Sequence, residues 1–327
     1  MPNERPAADR REFLLRVLRL GSLSAATVGV GAWLHGRSER PSEPSVLIAD
    51  RRTGVPPDPN LPEMVVAQGG SPQALVRRAV DELGGIRRFI ARGDVVVVKP
   101  NVGWDRAPEQ AANTNPGLVA EVVTLCLEAG ARTVIVTDLS CNDPRICFER
   151  SGIAAAARTA GADVIVPEER HFREVDLGGD VLTTWPVLEP ILTADKVINL
   201  PIAKHHSLTG CTIGMKNFYG IIGGQRSRLH QRINECLADL TAFARPTLTI
   251  VDAYRVLMRG GPTGGSLADV ELKKTLLAGT DPVALDSYAA KAWWDLDCQR
   301  LPFLRIAQAR GLGKMNFEEV RAKVVAL

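Results

Sequence analysis

The residues best suited to chemistry gather between Ile198 and Gly224, INLPIAKHHSLTGCTIGMKNFYGIIGG. This stretch holds two adjacent histidines, two lysines, two asparagines, a cysteine, three Ser/Thr hydroxyls and five glycines. Lys204 and Lys216 suit the clamping of a carboxylate or phosphate, and Asn199, Thr209 and Asn217 add neutral hydrogen bonds. Histidine titrates near neutrality, so His206 and, just downstream, His230 are the candidates to move a proton. His205 and His206 would face opposite ways on a strand, so only one of the pair enters a site. Asp252 joins the catalytic candidates, because a carboxylate can orient a histidine or hold a metal. Apolar residues in the stretch follow neither a period of 2 nor one of 3.6, which reads as a long loop forming one wall of a cleft.

The elements that must position these groups alternate. Ser71 to Ala91 reads as a helix with Ser71 as N-cap and Pro72 at its first position, and Gly84-Gly85 as its break or end. Further helices are expected at Pro116–Ala129, 151–160, 231–244, Pro282–Trp294, 301–310 and 317–325. Strands are expected at 46–49, 94–99, 132–138, 163–166, 195–200, 247–252 and 276–280. Runs such as DVVVVK and RTVIVTD are those of strands covered on both faces. This order gives an α/β fold with a largely parallel sheet and helices on both faces.

Position then narrows the site. Four apolar runs lead into polar residues: Lys99 and Asn101, Asp138, Asn199, and Asp252. A single strand ends on a polar residue simply because it meets water. Four such ends, each running into an irregular Gly/Pro loop, point to a shared ligand cleft at the carboxyl ends of the strands. The substrate-binding candidates are therefore Lys99, Asn101, Asp138, Asn199, Lys204, Thr209, Lys216 and Asn217, around a small anionic ligand. Gly223-Gly224 and the run from Arg259 to Gly265 could present backbone N–H groups to an anion. Neither is followed by G-K-[ST] and neither reads G-x-G-x-x-G, so both signals are weak, and a hairpin or flap is the default for the second.

Composition excludes several classes. A net charge of +3 and 5% aromatic residues leave no basic, aromatic-interleaved stripe for nucleic acid. The six cysteines at 126, 141, 147, 211, 236 and 298 form no CxxC and no ferredoxin-type run, although Cys141 and Cys147 are close enough in sequence to pair. The cofactor stays open, and the donor types admit a divalent metal. Residues 1–34 read as a targeting signal or anchor. Asp9-Arg10-Arg11-Glu12-Phe13-Leu14 resembles the twin-arginine motif, and the weakly apolar segment Gly21–Leu34 is too short to cross a ~30 Å hydrocarbon core comfortably. Arg16 and Arg19 intrude before that segment, and no A-x-A cleavage site follows it. The expectation is export by the twin-arginine machinery to an extracytoplasmic location, on an uncleaved signal that could act as an anchor. A linker (35–45) and one α/β domain (46–327) follow.

Several motifs, in order, resemble the DUF362 family. They are Lys99-Pro100-Asn101, Thr114-Asn115-Pro116, Asn199-Leu200-Pro201, Lys204-His205-His206, Thr209-Gly210, Met215-Lys216-Asn217, Gly220, His230, Val251-Asp252, Gly261-Pro262 and Thr280-Asp281-Pro282-Val283-Ala284-Leu285-Asp286. The block from Asn199 to Gly220 is the specific part. The resemblance implies a cleft rather than a particular reaction. Some family members carry an attached ferredoxin-like cluster domain, which this chain's cysteines do not supply. Where the family often has Lys-Thr-His, His206 is the matching histidine and His205 an addition; where His-Pro is common, Asn115-Pro116 stands instead. The functional expectation is an envelope enzyme acting on a small anion, the alternative a metal- or cofactor-binding module exported in folded form. A peptide-gripping groove would be more apolar.

Overall fold

The computed structural model describes residues 54–327. The twin-arginine-like segment, the linker and the strand expected at 46–49 lie outside the described residues.

Twelve strands form within this range: β1 (Met64–Gln68), β2 (Val95–Pro100), β3 (Thr133–Thr137), β4 (Asp163–Ile165), β5 (Phe172–Asp176), β6 (Thr184–Leu188), β7 (Lys196–Leu200), β8 (Ile202–His206), β9 (Gly210–Thr212), β10 (Leu248–Leu257), β11 (Val270–Gly279) and β12 (Ala322–Ala326). The main sheet runs β12-β1-β11-β10-β7-β2-β3-β4. Its central strands are parallel, and β11 runs against both neighbours. β8 adds to β10 in parallel, and β9 folds back on β8 as a hairpin. β5 and β6 make a separate antiparallel pair.

Strand alternation divides the core. Val96 and Val98 of β2 pack on one face with Leu118, Val119 and Val122 of the helix Pro116–Ala129. Val97 packs on the other face with Ile233, Leu237 and Leu240 of the helix Ile233–Ala244. Each face of the sheet is thus covered by helices, which is why these strands read as unbroken valine runs. Because side chains alternate, Lys99 falls on Val97's face and Asn199 on Val197's, the same side of the sheet. Asp252 shares the parity of Ile250, which packs on the opposite face.

Several local expectations change. The helix begun by Ser71 ends at Glu82, because Gly84 and Gly85 take positive φ (98° and 83°), a region glycine enters at no steric cost. The helix expected at 317–325 is instead a short 3-10 turn and the edge strand β12, which pairs with β1 along its whole length. β11 runs ten residues rather than five, since its polar first half pairs with the end of β10. All six cysteines are free thiols, Cys141 and Cys147 included.

The stretch from Ile198 to Gly224 also departs from expectation. It is built of the end of β7, the β8–β9 hairpin, the one-turn helix Gly214–Asn217 and a 3-10 turn at Phe218–Ile221. Its irregular polarity reflects side chains buried in a hydrogen-bond network rather than loop solvation.

Candidate functional site

The network starts at the carboxyl end of β2. Lys99 is fully buried, and its ammonium donates to Asp138 Oδ1 (2.5 Å), Asn217 Oδ1 (3.0 Å) and the Pro100 carbonyl (2.9 Å), which uses all three protons. Burial pulls the Lys99 ammonium down, and Asp138 opposes that pull. Asp138, just past β3, accepts a second bond from Val102 N at 2.6 Å. Asn217 donates to the Lys99 carbonyl (3.1 Å) and to Asn199 Oδ1 (2.9 Å), while Asn199 donates to the Gly214 carbonyl (3.0 Å). Asn199 stands directly opposite Lys99 in the β2–β7 register, so one side chain can span both strand ends.

Asp286 holds the one-turn helix in place from below. Its carboxylate accepts Gly214 N (2.7 Å) and Met215 N (3.0 Å), and burial pushes it up to about 7. These two bonds satisfy N–H groups that a one-turn helix cannot satisfy itself. They fix Lys216 and Asn217 relative to the sheet.

Lys204 of β8 completes the network. Its ammonium donates to Asn101 Oδ1 (2.9 Å) and the Ala112 carbonyl (2.6 Å), and Asn101 in turn donates to Asn217 Oδ1 (3.1 Å). Burial brings Lys204 down to about 7, with Lys216 adding to the drop. Lys216 lies over the Tyr219 ring, 4.7 Å from its centroid, and burial lowers it to about 8. Arg226 donates to the carbonyls of Leu139 (3.0 Å), Tyr219 (3.1 Å) and Ser140 (2.7 Å), pinning the loop after β3.

The network borders a small cleft of about 60 Å³ beyond the carboxyl ends of β2 and β3, beside β8 and the one-turn helix. Asn101, Asp138, Lys204, Lys216, Asn217 and Arg226 line it. Lys99 and Asn199 sit behind this lining and hold it. Among the described residues, no carboxylate comes within ion-pair distance of Lys204, Lys216 or Arg226, whereas Lys99 is neutralised by Asp138. The cleft is therefore net positive.

The catalytic candidates are placed differently. Asp252 projects from the far face of the sheet and accepts Asn115 N (2.7 Å) and Tyr254 N (2.9 Å), tying β10 to the start of the helix Pro116–Ala129. Strand parity, not distance along the chain, keeps it from the cleft. His206 Nδ1 accepts Leu208 N (3.1 Å) and Thr209 N (3.3 Å), which puts the ring proton on Nε2 and closes the β8–β9 turn. Burial, then Lys216 and Lys204, hold its pKa at about 3. Thr209 belongs to the same turn and donates to the Cys211 carbonyl at 2.8 Å. His230 is exposed and meets the Tyr219 ring edge-on at 5.8 Å.

Arg226, Cys141, Thr212, Tyr219 and Pro262 line the cleft without having been candidates. Two carried a usable signal: Cys141 lies three residues after Asp138, and Arg226 two after the Gly223-Gly224 pair. Pro262 arrives from the β10–β11 turn, whose Gly261 packs against the His205 carbonyl with no room for a Cβ. Among the described residues no three His, Cys, Asp or Glu side chains gather as a metal-ligand set, and no helix is long and apolar enough to cross a membrane.

The class defined by fold and site is an α/β protein with a mostly parallel mixed sheet and a cationic cleft at its strand ends. The chain belongs to the DUF362 family, a domain of unknown function whose profile matches residues 96–291, more than half of its length. It is 28% identical over 253 residues to the thylakoid-associated protein sll1697 of Synechocystis sp., covering 75% of this chain and 77% of that protein. Among solved structures, the lactate racemase apoprotein of Thermoanaerobacterium thermosaccharolyticum matches with a TM-score of 0.45 and 13% identity. That match covers 72% of this chain and 56% of the racemase chain. A Thermotoga maritima protein matches with a TM-score of 0.40 and 12% identity, over 73% of this chain and 60% of that one.

Proposed function

We propose that this chain is an enzyme acting on a small anionic substrate, a compact carboxylate or phosphate seated between Lys204, Lys216 and Arg226. The observation that carries the reading is the convergence of these three cations on one cleft without a carboxylate partner. A volume near 60 Å³ suits the head of a small anion, well below the ~300–1,000 Å³ of sites that enclose larger ligands.

Lysine, rather than histidine, is the proton carrier in this reading. Lys204 titrates near neutrality, and as a neutral amine it would keep both its N–H bonds, to Asn101 and Ala112. The lone pair is then left to accept a proton from the substrate, the role of a general base. Arg226 and the Lys99–Asp138–Asn217 network supply the rigidity that such a transfer needs.

The test is a thermal-shift screen of the full chain against small carboxylates and phosphates, with Lys216→Ala as the control. Stabilising ligands are then incubated in deuterated water and followed by NMR. Stabilisation that depends on Lys216, with deuterium uptake or product, supports the enzyme. Stabilisation without either points to the binding module, and no Lys216-dependent stabilisation removes the anion reading. Export by the twin-arginine route is a separate part of the proposal and rests on Arg10-Arg11 and the segment after them. Arg10→Lys with Arg11→Lys should retain the protein in the cytoplasm; unchanged fractionation would count against it.

A further inference from the structure

Cys141 is set apart from the other five cysteines. Cys126, Cys147, Cys211 and Cys236 are buried and Cys298 is half-buried, and burial raises each of these thiols. Cys141 alone among the six is exposed, and it lines the cationic cleft.

The loop that carries it is fixed at successive positions. Asp138 is held by Lys99 and Val102 N, Leu139 N donates to the Gly220 carbonyl, and Ser140 Oγ donates to the Val102 carbonyl. Arg226 grips the carbonyls of Leu139 and Ser140, and Cys141 N donates to the Gly103 carbonyl at 2.8 Å. A loop tied this way holds its side chain at one place on the cleft wall. A second observation points to a ligand there. Thr212, 4% exposed, lines the same cleft and keeps Oγ1 out of water with no hydrogen-bond partner. An unpaired buried hydroxyl is costly, and a bound oxygen acceptor would remove that cost.

We propose that Cys141 is the nucleophile of the cleft and forms a covalent adduct with a small anion carrying an electrophilic carbonyl carbon. The inference rests on the anion reading above. In the step, Cys141 Sγ bonds to the carbonyl carbon as the C=O π bond breaks and its electron pair moves to oxygen. The thiol proton passes to the neutral Lys204 amine, and the new alkoxide takes a proton from the Lys216 ammonium, leaving a hydroxyl for Thr212 to engage. Two protons move and no oxidant or reductant is needed. A thiol beside cations is the usual setting for a reactive cysteine.

The test compares alkylation of the native full chain by iodoacetate, an anion, and iodoacetamide, its neutral counterpart, with Cys141 read by peptide mass spectrometry. Here sulfur displaces iodide and the thiol proton goes to buffer. The expected result is an iodoacetate-to-iodoacetamide rate ratio at Cys141 about tenfold or more above that of free glutathione, falling toward the glutathione value in Lys216→Gln. Lys204→Met is a second cation variant if the first does not fold. A glutathione-like ratio in the native protein overturns the proposal. Sulfate thermal shifts separate the two readings. If sulfate stabilises the native chain but not Lys216→Gln while the ratio stays glutathione-like, the anion site stands and the nucleophile falls. With neither effect, both fall.

Discussion

Gly220 packs directly against Asp138. A Cβ placed on Gly220 would overlap Asp138 Oδ1 and stand 2.8 Å from Lys99 Nζ. The chain at this glycine therefore closes over the buried ion pair with no space for a methyl group. Gly220→Ala should separate Lys99 from Asp138 and cost about 3 kcal/mol, in the range of overpacking and broken buried pairs. Urea unfolding measures it, and a loss well under ~1 kcal/mol would mean the loop yields freely.

The Lys99–Asp138 pair should behave as one unit. Removing either partner leaves a charge or acceptor buried alone, at a cost of about 3–5 kcal/mol. Lys99→Met with Asp138→Leu should cost less than the sum of the two single changes, because neither orphan remains. A double-mutant cycle in urea decides this, and additive losses would contradict the coupling.

His206 should make the fold acid-sensitive. Its folded pKa lies near 3, below the ordinary 6.5, so the unfolded chain binds more protons between those values. Its contribution is fully present above about pH 6.5 and is lost as pH falls toward 3, with a slope of up to ~1.4 kcal/mol per pH unit. His206→Asn, whose Oδ1 stands where Nδ1 does and can still accept the Leu208 and Thr209 N–H bonds, should flatten that slope. Unfolding free energies at several acidic pH values test it, and an unchanged slope would place the titration elsewhere.

The cleft lysines reverse the argument for a bound anion. Lys204 near 7 and Lys216 near 8 lie below their ordinary 10.5, so the empty protein should gain stability as pH rises from about 7 toward 10.5. An anion paired with Lys216 favours its charged form, so its affinity should fall by up to about tenfold per pH unit once pH passes about 8, while Lys204 stays neutral as the base. Calorimetry in buffers of different ionisation enthalpy should show proton uptake on binding. Affinity that is flat between about pH 6 and 9 would exclude Lys216 as a ligand.

Pro262 marks where the β10–β11 turn meets the cleft, with Gly261 pressed on the His205 carbonyl. Gly261→Ala should lift this turn, weakening anion binding more than it destabilises the fold. Sulfate-dependent and sulfate-free melting temperatures, compared in one series, separate the two effects. Equal losses in both would make the turn purely structural.

The sequence by itself determined the layered α/β class, most helix starts and the strand ends at Lys99 and Asp138 that meet at one cleft wall. Proline after a capping residue marked the helices Pro116–Ala129 and Pro282–Trp294, and valine runs marked β2 and β3. Such signals are local, since capping and two-sided burial act over a few residues. It also picked Lys99, Asn101, Asp138, Asn199, Lys204, Lys216 and Asn217, which the fold joins in and behind one cleft wall. Strand parity was within its reach too: Asp252 has the phase of Ile250, but nothing local says which phase faces the cleft. Tertiary structure alone decided that β12 is a strand, because its partner β1 is some 250 residues away. It alone showed that Arg226, Cys141, Thr212 and Pro262 reach the same cleft. It alone turned the stretch from Ile198 to Gly224 into a hairpin and a capped helical turn, since what satisfies its backbone is Asp286, 72 residues from Gly214.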